Sequence, residues 1–241
     1  MRKIFISNLI NEKSLADEAG INIWQVHGPW RYPPLDLTEN DRAEQMEKMK
    51  RSICAAKLLG AKYWVVHPIM PFGVQDIKTN QSQQTIEHNL EFMDKLLVTA
   101  KQEGIIICLE NMPFLDFSLS SPSDIAEIVK QINDPLFAMC LDTGHANVCR
   151  EWHAPAETIR EYSKFIKVLY VHDNKGKRDD HLAPFFGTID WNDFSVALRE
   201  TCFDGVLSLE CAPSGKLPND ILEDMYPIYC RIAKAVCELH R

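Results

Sequence analysis

Short apolar runs alternate along the chain with longer stretches in which apolar residues recur every three or four positions. Six of these runs are continuous and rich in Val, Ile and Leu, which is typical of parallel strands buried on both faces. They lie at residues 21–29, 61–69, 105–113, 136–146, 166–175 and 205–210. A shorter run, "KIFIS" at residues 3–7, predicts a seventh strand.

The stretches between the runs predict helices. Residues 38–59 have apolar residues at helical spacing, with Thr38 as a candidate N-cap and Gly60 as a candidate terminator. Residues 81–103 repeat this pattern and are followed by Gly104. Shorter helices are predicted at residues 123–132, 155–164 and 191–201, and a last one at residues 218–239.

This alternation of strand and helix predicts an α/β fold with a parallel sheet and crossover helices. No linker separates the repeats, so residues 1–241 are expected to form a single domain. Six or seven repeats in one domain favour a (β/α)₈ TIM barrel over an open doubly wound sheet. An eighth strand with its helix is missing at the N-terminus, so we expect the first βα unit to be absent or shortened. The edge left open beside residues 3–7 predicts a homodimer.

Composition and charge narrow the function. The formal net charge of −8 argues against a nucleic-acid surface, which needs a basic stripe. No apolar run is long enough to span a membrane. The sequence contains no G-x-G-x-x-G motif, so nothing in it indicates a nucleotide-binding fold. None of the eight cysteines forms a C-x-x-C pair, which predicts reduced thiols in a cytoplasmic protein.

Residues of the types that commonly bind metals lie at nearly every predicted strand end. Six end a strand directly: His27, His67, Glu110, Asp142, His172 and Glu210. Three more follow closely: His145, Asp179 and His181. Because the carboxyl ends of barrel strands converge on one mouth, we expect these side chains to meet there. Taken singly, such a histidine is more often structural, and such a glutamate more often solvated.

The set as a whole predicts a divalent metal centre, because several carboxylates at one mouth repel each other unless a cation neutralises them. The predicted ligands are Glu110, Asp142, His172 and Glu210, and the additional candidates are His27, His67, His145, Asp179 and His181. Three carboxylates and one imidazole suit Mn²⁺, Mg²⁺ or Co²⁺ and also accept Zn²⁺. Asn111 is either a hydrogen-bond donor to this centre or a turn residue.

The motifs around these residues resemble the xylose isomerase-like TIM-barrel superfamily, which includes sugar isomerases, sugar epimerases and endonuclease IV. They are, in chain order, "VHGPW", "LGAKYWVVHPI", "CLENMP", "LDTGHAN", "VHDNKGKRDDH", "GTIDW" and "SLE". The resemblance implies that the four predicted ligands hold one metal. The sequence departs from the family pattern at "PFFG" (184–187), where P-G-x-G is usual, and "IFISN" corresponds to the family's second strand.

The resemblance implies a metal-dependent isomerase or epimerase that acts on a sugar or sugar phosphate by proton transfer through an enediolate. Glu210 is expected to remove the proton and Glu110 to return it. His145 is expected to hold a substrate oxygen, with His67 as a further substrate contact. Lys175, Lys177 and Arg178 form either a phosphate contact or a solvated loop, whereas Trp30, Trp152 and His153 either wall the sugar or pack in loops.

Two other functions stay open. All nine candidate ligands match the set with which endonuclease IV holds three zinc ions, so an abasic-site nuclease is one alternative. The other is a non-catalytic, degenerate barrel, because the N-terminal unit is incomplete.

Overall fold

Helices and strands alternate along the chain in the computed structural model, which describes residues 2–30, 36–148, 154–211, 213 and 215–239. The strands are β1 (Gln25–His27), β2 (Tyr63–Val66), β3 (Ile106–Glu110), β4 (Phe137–Asp142), β5 (Ile166–Val171) and β6 (Leu207–Leu209). The helices are α1 (Arg2–Glu18), α2 (Glu39–Leu59), α3 (Ser82–Glu103), α4 (Pro122–Ile132), α5 (Thr143–Val148), α6 (Pro155–Tyr162), α7 (Trp191–Glu200) and α8 (Asn219–Glu238).

The chain divides into two compact units. Unit 1 comprises Met1–Glu110, Asp116–Leu119 and Glu127–Met139, and unit 2 comprises Asn111–Leu115, Ser120–Ala126 and Cys140–Arg241. In unit 1 the strand order is β1-β2-β3-β4, and in unit 2 it is β4-β5-β6, because β4 contributes its first half to one unit and its second half to the other. The strand order thus follows the chain, as a βαβ sequence predicts.

The six predicted strands are all present, and the helices between them begin and end close to the predicted residues. Thr38 caps α2: its side chain accepts a hydrogen bond from the Asp41 backbone, and the Asp41 side chain bonds back to Thr38. Gly60 and Gly104 end α2 and α3 in the left-handed conformation that glycine adopts without a steric penalty.

The N-terminal segment differs from the prediction, because "KIFIS" lies within α1 and does not form a seventh strand. Its apolar run is short, and the polar residues that follow form pairs four positions apart, as in a helix. Lys13 pairs with Asp17, and Ser14 donates to Glu18, one turn further on. Among the described residues the sheet has six strands, and α1 packs against α2. The homodimer, which was inferred from a strand at this place, stays a prediction.

The predicted strand at residues 136–146 is also shorter than expected. Strand β4 ends at Asp142, and the next six residues form α5. The Asp142 side chain accepts a hydrogen bond from the His145 backbone at 2.6 Å, which satisfies an N–H group in the first turn of the helix. The polar half of "LDTGHAN" therefore belongs to a helix that starts at the strand end.

Apolar side chains fill the interior of each unit. In unit 1, Trp64, Ile107 and Met93 are fully buried, and in unit 2, Val168 and Phe194 are. Burial of apolar side chains is the main favourable contribution to folding, at about 1.5–3 kcal/mol for each large one. In the described part of the chain, no helix combines the length and the apolar character needed to cross a membrane.

Candidate metal centre

The same strand register places a histidine opposite a glutamate in both units. In unit 1, Val66 of β2 is the register partner of Leu109 of β3, so the next positions are His67 and Glu110. In unit 2, Val171 of β5 is the partner of Leu209 of β6, and the next positions are His172 and Glu210. The Glu210 backbone N–H donates to the Val171 carbonyl at 2.9 Å and continues the pairing beyond β6.

In unit 2, the ends of three consecutive strands bring Asp142, His172 and Glu210 together. Each offers a ligand atom, and these atoms lie within 4.8 Å of one another. The His172 Nε2 atom is 2.9 Å from Asp142 Oδ1 and 3.0 Å from Oδ2. Asp142 and His172 are fully buried, and Glu210 is partly exposed. Three of the four predicted ligands therefore form one cluster.

Neighbouring polar side chains fix the backbone of this cluster. The Asn111 amide accepts a hydrogen bond from the Asp142 N–H at 2.8 Å and donates to the Asp142 carbonyl at 3.1 Å. The Thr143 hydroxyl likewise donates to the His172 carbonyl at 2.7 Å and accepts from the His172 N–H at 3.1 Å. Asn111 thus holds the backbone of Asp142, one of the predicted ligands.

Gly144 leaves the space in which the His172 ring lies. A Cβ atom at this position would be 1.9 Å from His172 Cε1 and 2.3 Å from Nδ1, far inside van der Waals contact. No side chain fits there unless the ring moves. The glycine of "DTGH" is therefore a steric requirement of the imidazole on the neighbouring strand.

A second group in unit 2 shares His172 and adds His145, Asp179 and His181. Asp179 Oδ2 lies 3.0 Å from His181 Nε2 and 3.3 Å from His145 Nε2. Burial opposes ionisation of Asp179, but the hydrogen bonds with these two imidazoles outweigh it and lower the Asp179 pKa. The hydrogen bond with Asp179 raises the pKa of His181 to about 8, although burial acts in the opposite direction.

Unit 1 contains an imidazole-rich cluster of its own. His27 Nε2, His67 Nε2 and Glu110 Oε2 lie 3.1 to 3.4 Å from one another. The Trp30 ring meets the His67 ring edge-on at 4.9 Å, and Trp30 is 45% exposed. Two imidazoles and one carboxylate form a donor set typical of zinc sites.

The remaining predicted contacts are less enclosed. Lys175 and Lys177 are exposed in the loop after β5, and Arg178 forms an ion pair with Asp180 at 3.0 Å. Trp152 and His153 lie outside the described residues. Cys211, next to Glu210, is not a candidate nucleophile, because burial and the Glu210 charge raise its thiol pKa to about 11.

Sequence reasoning missed the residues that organise this region, above all Asp173 and Asn174. Both are fully buried directly after His172. The Asn174 side chain donates to the Gly144 carbonyl at 2.7 Å and accepts from the Asn147 side chain at 2.8 Å. The adjacent letters "HDN" at a strand end, followed by "GTIDW", were the available signal, but an acidic residue there also suits a solvated loop.

With this geometry, the chain belongs to the family of xylose isomerase-like TIM barrels, whose model matches residues 8–226. Its fold is the TIM barrel of that family. Among solved structures, a D-tagatose 3-epimerase-like protein superposes with a TM-score of 0.73 at 27% identity, covering 95% of this chain and 84% of that one.

Relatives that are similar in sequence include an uncharacterized protein and a probable endonuclease. The uncharacterized protein MJ1311 of Methanocaldococcus jannaschii is 30% identical over 190 residues, which cover 77% of this chain and 63% of that protein. A probable endonuclease 4 of Metamycoplasma arthritidis is 29% identical over 134 residues, 52% of this chain and 46% of that protein. The chain thus spans less than two thirds of the length of these relatives.

Proposed function

We propose that this chain is a divalent-metal-dependent isomerase or epimerase of a sugar or sugar phosphate. The observation that carries the proposal is the cluster of Asp142, His172 and Glu210, whose ligand atoms lie within 4.8 Å of one another at three consecutive strand ends. The similarity to a D-tagatose 3-epimerase-like protein supports the sugar as substrate class.

The donor atoms of this cluster fit a cation. Two carboxylates and an imidazole would be an electrostatic liability in a largely buried place unless a positive charge faced them. His172 Nδ1 is also buried, with no hydrogen-bond partner among the described residues. Oxygen-rich donor sets suit Mn²⁺, Mg²⁺ or Co²⁺, and the imidazole admits Zn²⁺. That Glu110 joins the same metal is a prediction from the sequence.

A bound divalent cation would polarise the substrate carbonyl and stabilise the negative charge that develops on its oxygen. In the proposed reaction, the Glu210 carboxylate removes the proton from the carbon beside that carbonyl. Glu110 then returns a proton, to the opposite face for epimerisation or to the neighbouring carbon for isomerisation. The substrate passes through an enediolate between the two steps.

His145 is proposed to hold a substrate oxygen. Its ring is fixed from one side because Nδ1 donates to the Asn111 carbonyl at 2.8 Å, and its backbone N–H is bound by Asp142. The contact at Nδ1 and the fixed backbone together limit the orientation of the ring toward a substrate. His67 and Lys175 are proposed as further substrate contacts, with the exposed Lys175 as a partner for a phosphate group.

The test is solvent exchange at carbon. The Mn²⁺-loaded protein is incubated in D₂O with a panel of ketoses, aldoses and their phosphates, and proton NMR follows the loss of the C–H signal beside the carbonyl. Glu210→Gln should lower exchange and turnover by about 10²- to 10⁴-fold while it retains sugar binding. Glu200→Gln, an exposed carboxylate bonded to Arg160, is the matched control and should match the wild type. Turnover without solvent deuterium in the product would contradict proton transfer through these glutamates.

A second candidate function is an endonuclease with several zinc ions. It is favoured by the two imidazole-rich clusters, one in each unit, and by the similarity to a probable endonuclease 4. Against it stand the net charge of −8 and the pairing of Arg178 with Asp180. Cleavage of an abasic-site duplex by the zinc-loaded protein, abolished by Asp179→Ala, would replace the isomerase proposal.

A further inference from the structure

We propose that Asp173 is a positioning residue of the candidate metal centre, which it holds in place without binding the metal. The inference rests on the proposed function, because it concerns the metal cluster named there. Asp173 directly follows His172 and is fully buried.

The Asp173 carboxylate accepts five hydrogen bonds. Oδ1 accepts from the backbone N–H groups of Asn174 at 2.8 Å, Thr188 at 3.0 Å and Ile189 at 3.3 Å. Oδ2 accepts from the Gly187 N–H at 3.0 Å and from the Trp191 indole at 2.9 Å. Both oxygens are thus fully engaged with the "GTIDW" segment and the start of α7. A carboxylate so occupied has no lone pair left for a metal, although an aspartate beside a histidine at a strand end suggests a ligand.

The Asp173 backbone fixes the loop on its other side. Its N–H donates to the Leu182 carbonyl at 2.7 Å, and the Leu182 N–H donates back at 2.8 Å. This isolated antiparallel bridge directs the side chains of the two preceding residues, His172 and His181, to the same face. Their rings stack with centroids 4.1 Å apart and planes inclined by 16°.

His181 also links this loop to Glu210, the third proposed ligand. Its Nδ1 donates to the Glu210 carbonyl at 2.8 Å. Asp173 therefore binds both ends of this loop, Leu182 through its backbone and Gly187 through its carboxylate. The residue before Leu182, His181, stacks on His172 and holds the backbone of Glu210. Supporting residues of this kind orient metal ligands, and their loss commonly lowers metal affinity by about 10- to 100-fold.

The loop between the two attachment points needs this anchoring, because its backbone is strained. Phe185 has a φ of 76°, which is unfavourable for a bulky side chain, and the Phe186 N–H closes the turn on the Ala183 carbonyl at 3.1 Å. Such a conformation persists only where the surrounding contacts determine it. A Cβ atom at Gly187 would lie 2.1 Å from Asp173 Oδ1, so the glycine allows the close approach.

The experiment compares Asp173→Asn with Asp76→Asn. Asp76 is a fully buried carboxylate of unit 1 that also holds a loop, accepting hydrogen bonds from the Ser118 backbone and hydroxyl. Co²⁺ affinity and the Co²⁺ absorption spectrum are measured together with the melting temperature. Both variants should melt at lower temperature, but only Asp173→Asn should weaken Co²⁺ binding by about 10- to 100-fold and change the spectrum.

Trp191→Phe keeps the proposal testable if Asp173→Asn does not fold. It removes one donor to Asp173, and its control is Trp64→Phe, which removes the indole hydrogen bond to Ser52 in unit 1. We expect weaker Co²⁺ binding from Trp191→Phe alone. Equal Co²⁺ affinity and an unchanged spectrum in Asp173→Asn, or an equal loss in Asp76→Asn, would overturn this inference alone. A wild type that binds no Co²⁺ would overturn the proposed function and this inference with it.

Discussion

His67 and Glu110 in unit 1 and His172 and Glu210 in unit 2 occupy equivalent places, each one residue beyond the last register pair of two neighbouring parallel strands. The third member of each cluster differs. Unit 1 adds a second imidazole, His27, whereas unit 2 adds a carboxylate, Asp142. One strand geometry therefore presents a nitrogen-rich donor set in one unit and an oxygen-rich set in the other.

The difference teaches that strand register brings the histidine and the glutamate together in both units, while the third residue decides whether the donor set is rich in nitrogen or in oxygen. Nitrogen-rich sets suit Zn²⁺, and oxygen-rich sets suit Mn²⁺ or Mg²⁺. The support also differs, because hydrogen bonds from Asn111, Thr143 and Asn174 fix the backbone around the unit 2 cluster. The oxygen-rich cluster is thus the better candidate for a catalytic cation.

Removing the third ligand of each cluster should produce the largest effect. Asp142→Ala deletes one of the two carboxylates in the unit 2 cluster of Asp142, His172 and Glu210. We expect Mn²⁺ binding at that cluster to be lost, together with the stabilisation that bound metal gives by mass action. His27→Ala removes an imidazole from unit 1 and should leave Mn²⁺ affinity much less affected. Calorimetric titration with Mn²⁺ and melting curves with and without chelator measure both. Equal losses in the two variants would show that the donor chemistry does not distinguish the clusters.

A steric comparison should give the next largest effect. Gly144→Ala puts a methyl group into the His172 ring, whereas Gly28→Ala puts one 2.6 Å from Cζ2 of Trp64. Overpacking of this kind costs about 1–3 kcal/mol in either unit. Only Gly144→Ala moves a proposed ligand, so it alone should weaken Mn²⁺ binding. Denaturant unfolding and metal titration separate the two outcomes, and a Gly28→Ala protein with the weaker Mn²⁺ affinity would contradict the assignment.

Much of the fold could be predicted because its signals are local. The helix boundaries at Thr38, Gly60 and Gly104 depend on caps whose chemistry is written in a few adjacent letters. The six strands were recognised because strands buried on both faces need continuous apolar runs. Residues 3–7 show the limit of this signal, since three apolar letters suit a strand or a helix equally well. In the structure these residues belong to α1, which packs against α2.

The clustering of the candidate ligands could be predicted from the sequence, whereas the residues that support them could not. His172 and Glu210 stand at strand ends, where topology alone brings them together. Asp173 was not recognised, because its partners at Gly187, Thr188 and Trp191 are 14 to 18 residues away. A carboxylate that accepts hydrogen bonds from backbone N–H groups far along the chain leaves no periodic pattern in the sequence.

Two buried asparagines offer a finer comparison of support. Asn111 bonds both backbone groups of Asp142 in unit 2, and Asn89 bonds both backbone groups of Ile69 in unit 1. Replacing either asparagine by Ala leaves buried backbone groups without their hydrogen bonds. The free energy of unfolding should fall by about 1–3 kcal/mol for each group left unsatisfied. Asn111→Ala should also lower Mn²⁺ affinity, because it frees the backbone of a proposed ligand, whereas Asn89→Ala should not. An Asn111→Ala variant that loses stability but binds Mn²⁺ as the wild type does would show that Asp142 needs no such support.

The smallest expected effects come from one surface ion pair in each unit. Arg160 binds Asp193 in unit 2 through two contacts, at 2.6 and 3.1 Å, and Lys101 binds Asp134 in unit 1 at 2.6 Å. The hydrogen bond from Arg160 lowers the pKa of Asp193, and that from Lys101 lowers the pKa of Asp134.

A carboxyl group whose pKa is lower in the folded state stabilises the protein above its unfolded pKa, and this contribution is lost as the pH falls through the folded pKa. Asp193→Asn and Asp134→Asn should each lower the free energy of unfolding by only about 0.2–1 kcal/mol at pH 7, since solvent screens both pairs. The difference from the wild type should shrink as the pH falls below about 4 and also in 1 M NaCl. Urea unfolding across pH 3–7 checks this, and a difference that grows toward acid pH would mean that neither pair acts through the charge of its carboxylate.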